Sequence, residues 1–192
     1  MCWLIVIILV IIILIVIIKS RNKHKEKFSV NKNCELPKYN PQNWNKTIHD
    51  IRKFNNCYSY ALGDLKFDRG HKQQPGELVG KPLNSKKPYT CDDLIHAVQL
   101  DHPDSYIEDD PYKLCSCGYR KIFSAISPEA DSDEDYHFYR QDNSLYWSHK
   151  PGSKLATNLD GSGNKIKNPL LADRNVDDYN YSVPCGFMCV KV

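Results

Sequence analysis

A chain of 192 residues, 41% of them hydrophobic, is long enough for one domain with a sizeable core. It has 26 basic and 23 acidic residues, and residues 19–27 hold five of the basic residues and one acid. The remaining 21 basic and 22 acidic residues leave no excess of positive charge, which argues against nucleic-acid binding. Abundant lysine, asparagine, isoleucine and tyrosine are typical of an AT-rich genome, such as that of a large DNA virus or a protist.

The first 18 residues form an apolar run without a charged side chain. At about 1.5 Å per residue, such a helix just crosses a bilayer core of roughly 30 Å. No basic residue precedes the run and no Ala-x-Ala-like cleavage site follows it, so the pattern predicts a retained transmembrane anchor over residues 1–18. By the positive-inside rule, the basic flank places the following domain on the cytoplasmic side of a single-pass membrane protein.

Residues 19–40 are polar and without periodicity, which predicts a basic juxtamembrane linker before a folded domain over residues 41–192. The eight cysteines would be reduced in a cytosol-facing domain and paired in an exported one. The sequons at Asn45 and Asn180 would be glycosylated only on the lumenal side of the membrane. These two features test the predicted topology.

Two helices are predicted in the first half of the domain. Asn55 or Asn56 can cap a helix from Cys57 to about Leu62, which Gly63 ends. Residues 47–54 suggest a turn or a short helix. Thr90 and Asp93 have the spacing of a capping box, and residues 91–100 follow helical periodicity.

Strands are predicted in the second half. Residues 119–126, 136–140 and 145–149 are rich in aromatic and β-branched side chains, with a short turn at 141–144, so three antiparallel strands are expected. Residues 185–192 can add a last strand. Residues 153–181 contain turn signals at 160–161 and 168–169 and predict a long loop.

The candidate chemistry lies in Cys57, His137 and His149. A thiol near its ordinary pKa of about 8.5 needs a helix N-terminus and an imidazole to become a nucleophilic thiolate. Cys57 is expected in the first turn of its helix, and the hairpin should bring His137 and His149 close on adjacent strands. One imidazole could then act on the thiol while the other orients it. Asp142 is a second candidate for the orienting residue.

This order of a cysteine at a helix start, a histidine on a strand and a second histidine about twelve residues later resembles the NlpC-type cysteine peptidases of the papain-like superfamily. The resemblance is carried by residues 56–59, His137 and His149. It departs from the family at the nucleophile, where Asp-Cys-Ser-Gly is replaced by Asn-Cys-Tyr-Ser.

The resemblance implies a papain-like α+β domain in which a nucleophile helix packs on an antiparallel sheet. Cys57 would be the nucleophile, His137 the general base and His149 its orienting partner. From the residues themselves, the backbone N–H of Cys57 and a nearby side chain such as Asn56 or Tyr58 are the candidate oxyanion donors, and the sequence does not choose between these side chains. The expected function is a membrane-anchored thiol hydrolase or acyltransferase that acts on an amide or ester of a peptide-like or acyl substrate, without a cofactor.

Two alternatives remain open. The first is a membrane-tethered binding or structural domain of the same fold without turnover. The second is a zinc-stabilised interaction module. Its four ligands would be Cys115, Cys117, Cys185 and Cys189, although their spacing lacks the paired Cys-x-x-Cys of zinc ribbons. The acidic residues 129–135 lack the glycine and distal glutamate of an EF-hand and predict a solvated connection.

Overall fold

The computed structural model describes Ile11 and residues 34–83, 89–128 and 134–192. Glu35–Val192 form one compact unit. No helix in these segments is long and apolar enough to cross a membrane. The predicted anchor over residues 1–18 lies, apart from Ile11, outside the described residues, and the predicted boundaries after residues 18 and 40 stay predictions.

Short helices come first along this unit and strands follow. The helices are α1 (Pro41–Trp44), α2 (Ile51–Phe54), α3 (Cys57–Leu62) and α4 (Cys91–Asp101), with 3-10 turns at Ile48–Asp50 and Glu77–Val79. The strands are β1 (Tyr106–Ile107), β2 (Tyr119–Ser127), β3 (Asp135–Gln141), β4 (Trp147–His149), β5 (Asn175–Val176), β6 (Tyr179–Asn180) and β7 (Val183–Lys191).

Five of these strands form one sheet in the order β1-β7-β2-β3-β4, and each neighbouring pair is antiparallel. Strands β2, β3, β4 and β7 confirm the four predicted strands. The C-terminal strand β7 lies between β1 and β2. The hairpin β5–β6 lies inside the predicted loop and was not predicted, because two-residue strands carry no readable alternation.

The prediction of a papain-like α+β fold with one transmembrane helix is wrong. The described chain is mostly a five-stranded antiparallel sheet, and its helices contain only 4, 4, 6 and 11 residues. Two of these helices, α3 and α4, add buried side chains to one face of the sheet, and the sheet is the largest element of the described chain. The resemblance rested on the order of a few residues along the chain, and that order does not specify a fold.

Helix α3 begins and ends where the sequence predicts. The Asn56 side chain accepts a hydrogen bond from the backbone N–H of Ser59 at 3.1 Å, and Gly63 ends the helix with a φ of +68°. A side chain at Gly63 would also collide with the guanidinium group of Arg120, which donates to the Leu62 carbonyl oxygen. Both a left-handed backbone and a close neighbour therefore favour glycine at this position.

Helix α4 has the predicted capping box. The Thr90 hydroxyl accepts from the Asp93 N–H at 3.1 Å, and the Asp93 carboxylate accepts from the Thr90 N–H. Thr90→Ala should lower the free energy of unfolding by about 1 kcal/mol, because it leaves the Asp93 N–H without its capping acceptor. Thr90→Ser keeps the hydroxyl and should change stability much less, as measured by urea denaturation. Equal losses for the two variants would contradict this role of the hydroxyl.

The side chains of the sheet form two apolar clusters, one on each face. The helix-face cluster contains Cys57, Tyr58, Ala61, Leu62, Leu94, Val98, Ile122, Ile126, Tyr136, Phe138, Met188 and Val190. The loop-face cluster contains Phe123, Ala125, Tyr139, Trp147, Ile166, Tyr181 and Phe187. Alternation along β2 and β3 sends neighbouring residues to opposite clusters, so both faces of these central strands are buried.

Candidate functional site

Cys57 is the first residue of α3 and lies in the helix-face cluster, with 5% of its surface exposed. Its sulfur is 3.9 Å from the Tyr136 carbonyl oxygen, to which the thiol donates weakly. Burial, and after it the nearby Asp135 carboxylate, raise the pKa of the Cys57 thiol to about 12. The thiol is therefore protonated at neutral pH in this conformation, and the start of α3 does not make it a thiolate.

The hairpin brings His137 and His149 together, as predicted. Tyr139 on β3 pairs with His149 on β4. His137, two residues before Tyr139, is therefore the diagonal neighbour of His149. His137 Nε2 lies 2.7 Å from His149 Nδ1, and His149 Nε2 lies 2.9 Å from the Leu159 carbonyl oxygen. Since a carbonyl oxygen only accepts, His149 carries its proton on Nε2 and accepts at Nδ1 from the Nε2–H of His137.

Aromatic rings enclose both imidazoles on the loop face. His137 stacks on Tyr181 with ring centroids 4.9 Å apart, and His149 stacks on Tyr139 at 4.8 Å. Burial lowers the pKa of His149 to about 4. Burial, and after it the repulsion from His149, lower the pKa of His137 well below its ordinary value. The pair is thus neutral at pH 7.

The structure places the other predicted site residues in structural contacts. Asn56 caps α3 and donates to the Gln73 carbonyl oxygen at 2.7 Å. Tyr58 donates to the Asp101 carboxylate at 2.9 Å on the helix face. Cys57 belongs to the same face, whereas the imidazoles of His137 and His149 lie among the tyrosines of the other face. The catalytic roles of these residues stay predictions from the sequence.

The second candidate for an orienting residue, Asp142, is engaged elsewhere. It accepts from Arg140 Nε at 3.1 Å, and both side chains are buried. Arg140 also donates to the Tyr60 carbonyl oxygen at 3.2 Å and lies over the Tyr60 ring. This charge pair therefore ties the end of β3 to helix α3 and does not orient a histidine.

The burial of Cys57 predicts slow reaction with thiol reagents. A neutral thiol enclosed in an apolar cluster should be modified only when the surrounding structure opens, since the reactive form is an exposed thiolate. Labelling of the folded protein should be at least 100-fold slower than in denaturant, as followed by intact mass. Cys57→Ala provides the background. Rapid labelling of the native protein at pH 7 would contradict the buried, protonated state.

Disulfides join the sheet to the segments that flank it. Cys91 at the start of α4 is bonded to Cys185, and Cys115 is bonded to Cys189. Cys34 and Cys117 are also in disulfides, which leaves Cys57 as the free thiol among the described cysteines. A sequence of eight cysteines indicates such bonds only once the compartment is known, so the pairing was not predicted.

A β-bulge directs the two bridges on β7 to opposite faces of the sheet. Gly186 pairs with Ser124 and Pro184 pairs with Ala125, so Cys185 is the extra residue on its strand. Cys185 packs against the helix-face cluster, whereas Cys189 alternates with the helix-face residues at 188 and 190. The sheet therefore carries one of these two disulfides on each of its faces.

This pairing also overturns the zinc alternative. Cys115, Cys185 and Cys189 have their sulfurs in disulfides, and Cys185 and Cys189 point to opposite faces. They cannot supply thiolates to one tetrahedral site. No group of three or more metal-binding side chains occurs in the described segments. Most of the acidic stretch 129–135 lies outside them.

A cleft of about 310 Å³ opens beside the aromatic rings of the loop face. It is lined by Tyr181, whose hydroxyl donates to the Asp135 carboxylate at 2.7 Å. Its lining also includes side chains of both charge signs, from Lys72, Lys154 and Asp177. Sequence reasoning missed this cleft because four separate segments line it and no local motif marks them.

The sequence is similar to insoluble matrix shell protein 1 of Ruditapes philippinarum, with 34% identity over 137 residues. The match covers 71% of this chain and 81% of that protein. No established protein-family profile matches the chain. No solved structure matches it either.

These comparisons correct the functional predictions. The relative is a mollusc shell protein and not a peptidase, so the assignment to the NlpC-type peptidases is wrong. The prediction of a membrane-anchored thiol hydrolase or acyltransferase with a peptide-like or acyl substrate is wrong with it. An animal relative also gives no support to a viral or protist origin.

The predicted single-pass membrane location with a cytoplasmic domain is wrong as well. Disulfides hold six of the seven described cysteines, whereas the cytosol keeps such thiols reduced. At 34% identity over most of both sequences, the chain belongs to the family of insoluble matrix shell protein 1.

Proposed function

We propose that this chain is an exported structural protein that is built into an insoluble extracellular matrix. The observation that carries the proposal is the kinship to insoluble matrix shell protein 1, whose name assigns that protein to the insoluble matrix of a shell. The disulfides of the described unit support it independently, because bonds of this kind form and persist in oxidising compartments.

The construction of the domain fits a protein that must last outside the cell. The disulfides Cys91–Cys185 and Cys115–Cys189 close long loops, with sequence separations of 94 and 74 residues. Cross-links that close such long loops strongly restrict the conformations of the unfolded chain. The bridges fix β7, a strand bonded on both sides within the sheet, to α4 and to the segment before β2. Local opening of the C-terminal strand is therefore opposed on both faces.

The buried lysines support the same interpretation. Lys150 donates to the carbonyl oxygens of Arg52 and Gly152, each at 2.7 Å. Lys121 donates to the carbonyl oxygens of Asp110 and Lys113. Burial lowers the pKa of Lys150 to about 7 and that of Lys121 to about 8. Each buried amino group thus serves as a hydrogen-bond donor to two backbone carbonyl oxygens in the interior.

Export requires a hydrophobic targeting segment, and we assign this role to the apolar residues 1–18, although they have neither a preceding basic residue nor a following Ala-x-Ala-like site. The full chain, expressed with a C-terminal tag in a secretory animal cell line, should be found in the medium and in the detergent-insoluble material left on the dish. The cytosolic fraction should contain little of it. Immunoblots of the three fractions measure the distribution.

A matched control replaces Cys91 and Cys185 with alanine. Without this bridge the protein should be retained inside the cells, because secretory quality control holds back unstable domains. Wild-type protein confined to the cytosol, with all its thiols free to alkylation, would overturn the proposed function.

A further inference from the structure

Asn180 lies in a hairpin at the surface of the loop face. It is exposed, it is the second residue of β6, and it is followed by Tyr181 and Ser182, which completes an Asn-x-Ser sequon. Strand β6 pairs with β5 through Asn180 and Asn175. The motif thus lies on an accessible structural element.

Alternation along β6 turns the Asn180 side chain away from the core. Tyr181 is 3% exposed, and Tyr179 packs against the same loop-face cluster. The residue between them faces the opposite side, towards solvent. Its cross-strand neighbour Asn175 is held by Asp173, to which the Asn175 side chain donates at 2.7 Å. An added group on Asn180 therefore meets no packed side chain of this cluster.

The second sequon lies in a different environment. Asn45 is half-buried at the end of α1, and its side-chain oxygen accepts from the Ala156 N–H at 2.7 Å. This contact joins residues 111 positions apart in the sequence. An oligosaccharide on this side chain would crowd a tertiary contact, whereas one on Asn180 would not.

We propose that Asn180 carries an N-linked oligosaccharide, an inference that rests on the proposed export of the chain. In the reaction, Asn180 Nδ2 forms a bond to the anomeric carbon of the sugar. The bond between that carbon and the diphosphate of a polyprenyl-linked donor breaks. The amide proton leaves with the diphosphate. The donor and its transferase belong to the secretory lumen.

The modification would fix which side of the domain remains solvated. The glycan would project on the outer side of the β5–β6 hairpin, opposite to the tyrosines that line the cleft. Packing of the domain into an insoluble matrix would then use its other surfaces.

The test compares the full-length secreted protein before and after treatment with peptide N-glycosidase. On treatment, the mass of the wild type should fall by one step, the mass of one oligosaccharide. The Asn180→Gln variant should not show this mass step. Ser182→Ala, which keeps the asparagine but destroys the sequon, should lack the same step. Ser182→Thr should retain it. Asn45→Gln, the matched control for the other sequon, should leave the step unchanged.

The outcomes separate this proposal from the one on which it rests. If the secreted Asn180→Gln variant still shows the enzyme-sensitive mass step, Asn180 is not the glycosylated residue. If the secreted wild type shows no mass step, Asn180 carries no oligosaccharide. Either result overturns glycosylation at Asn180 and leaves the proposed export unaffected. Protein confined to the cytosol overturns both. The assignment of the oligosaccharide to Asn180 is supported if Asn180→Gln and Ser182→Ala are the only variants without the mass step. Secretion of these two variants shows that they fold.

Discussion

Replacing both Cys115 and Cys189 with alanine should lower the free energy of unfolding by about 4 kcal/mol. The bridge closes a loop with a sequence separation of 74 residues, and its removal frees a large part of the unfolded chain. The variant also loses a cross-link at Cys189, which is fully buried near the C-terminal end of β7. Guanidinium denaturation followed by tryptophan fluorescence, without reductant, measures the change.

Cys57→Ala is the matched control for this comparison. It removes one buried sulfur but no cross-link, so its loss should be smaller, roughly 1 to 2 kcal/mol by comparison with other truncations in cores. Reduction of the wild type should reproduce or exceed the loss of the bridge variant. A bridge variant as stable as the wild type would contradict the role assigned to the disulfides.

Acidification from pH 6.5 to pH 4 should destabilise the protein by about 3 kcal/mol through His149 alone. The pKa of His149 is about 4 in the folded protein, against 6.5 as its ordinary value. Between these values the unfolded state binds a proton that the folded state does not. Stability is therefore complete above pH 6.5 and falls as the pH falls through this window. His137, whose pKa is also lowered, adds to the loss.

The His149→Gln variant tests the assignment. Glutamine keeps a polar side chain but does not titrate, so the dependence of stability on pH between 4 and 6.5 should become shallower. Carboxylates with lowered pKa values, such as Glu108, affect stability mainly below this window. An unchanged slope in His149→Gln would show that the imidazole is not buried in its neutral form.

Local structure followed from the sequence where short-range chemistry determines it. The Asn56 cap, the Gly63 stop and the Thr90 capping box were predicted because their hydrogen bonds join residues within one helical turn. The contact of His137 with His149 was predicted because a short turn fixes the register of the hairpin. Such features require no knowledge of the tertiary structure.

Features that depend on distant residues were not predicted. The bonding partner of Cys185 is set by a bulge opposite Ser124 and Ala125, and neither residue marks a bulge in the sequence. The insertion of β7 between β1 and β2 is equally long-range. Alternation on β3 is a further feature that the order of residues along the chain does not show. The order of Cys57, His137 and His149 suggested one site, yet His137 faces the tyrosines while Tyr136 and Phe138 face the cluster of Cys57.

An exported protein that is cross-linked by disulfides should keep these bonds when it is recovered outside the producing cells. The most direct test is peptide mapping, without reduction, of protein recovered from outside the producing cells. We expect linked peptides that join Cys91 to Cys185 and Cys115 to Cys189, with Cys57 recovered as a thiol. Recovery of the folded chain only from the cytosol, with these four cysteines alkylated as free thiols, would contradict the claim.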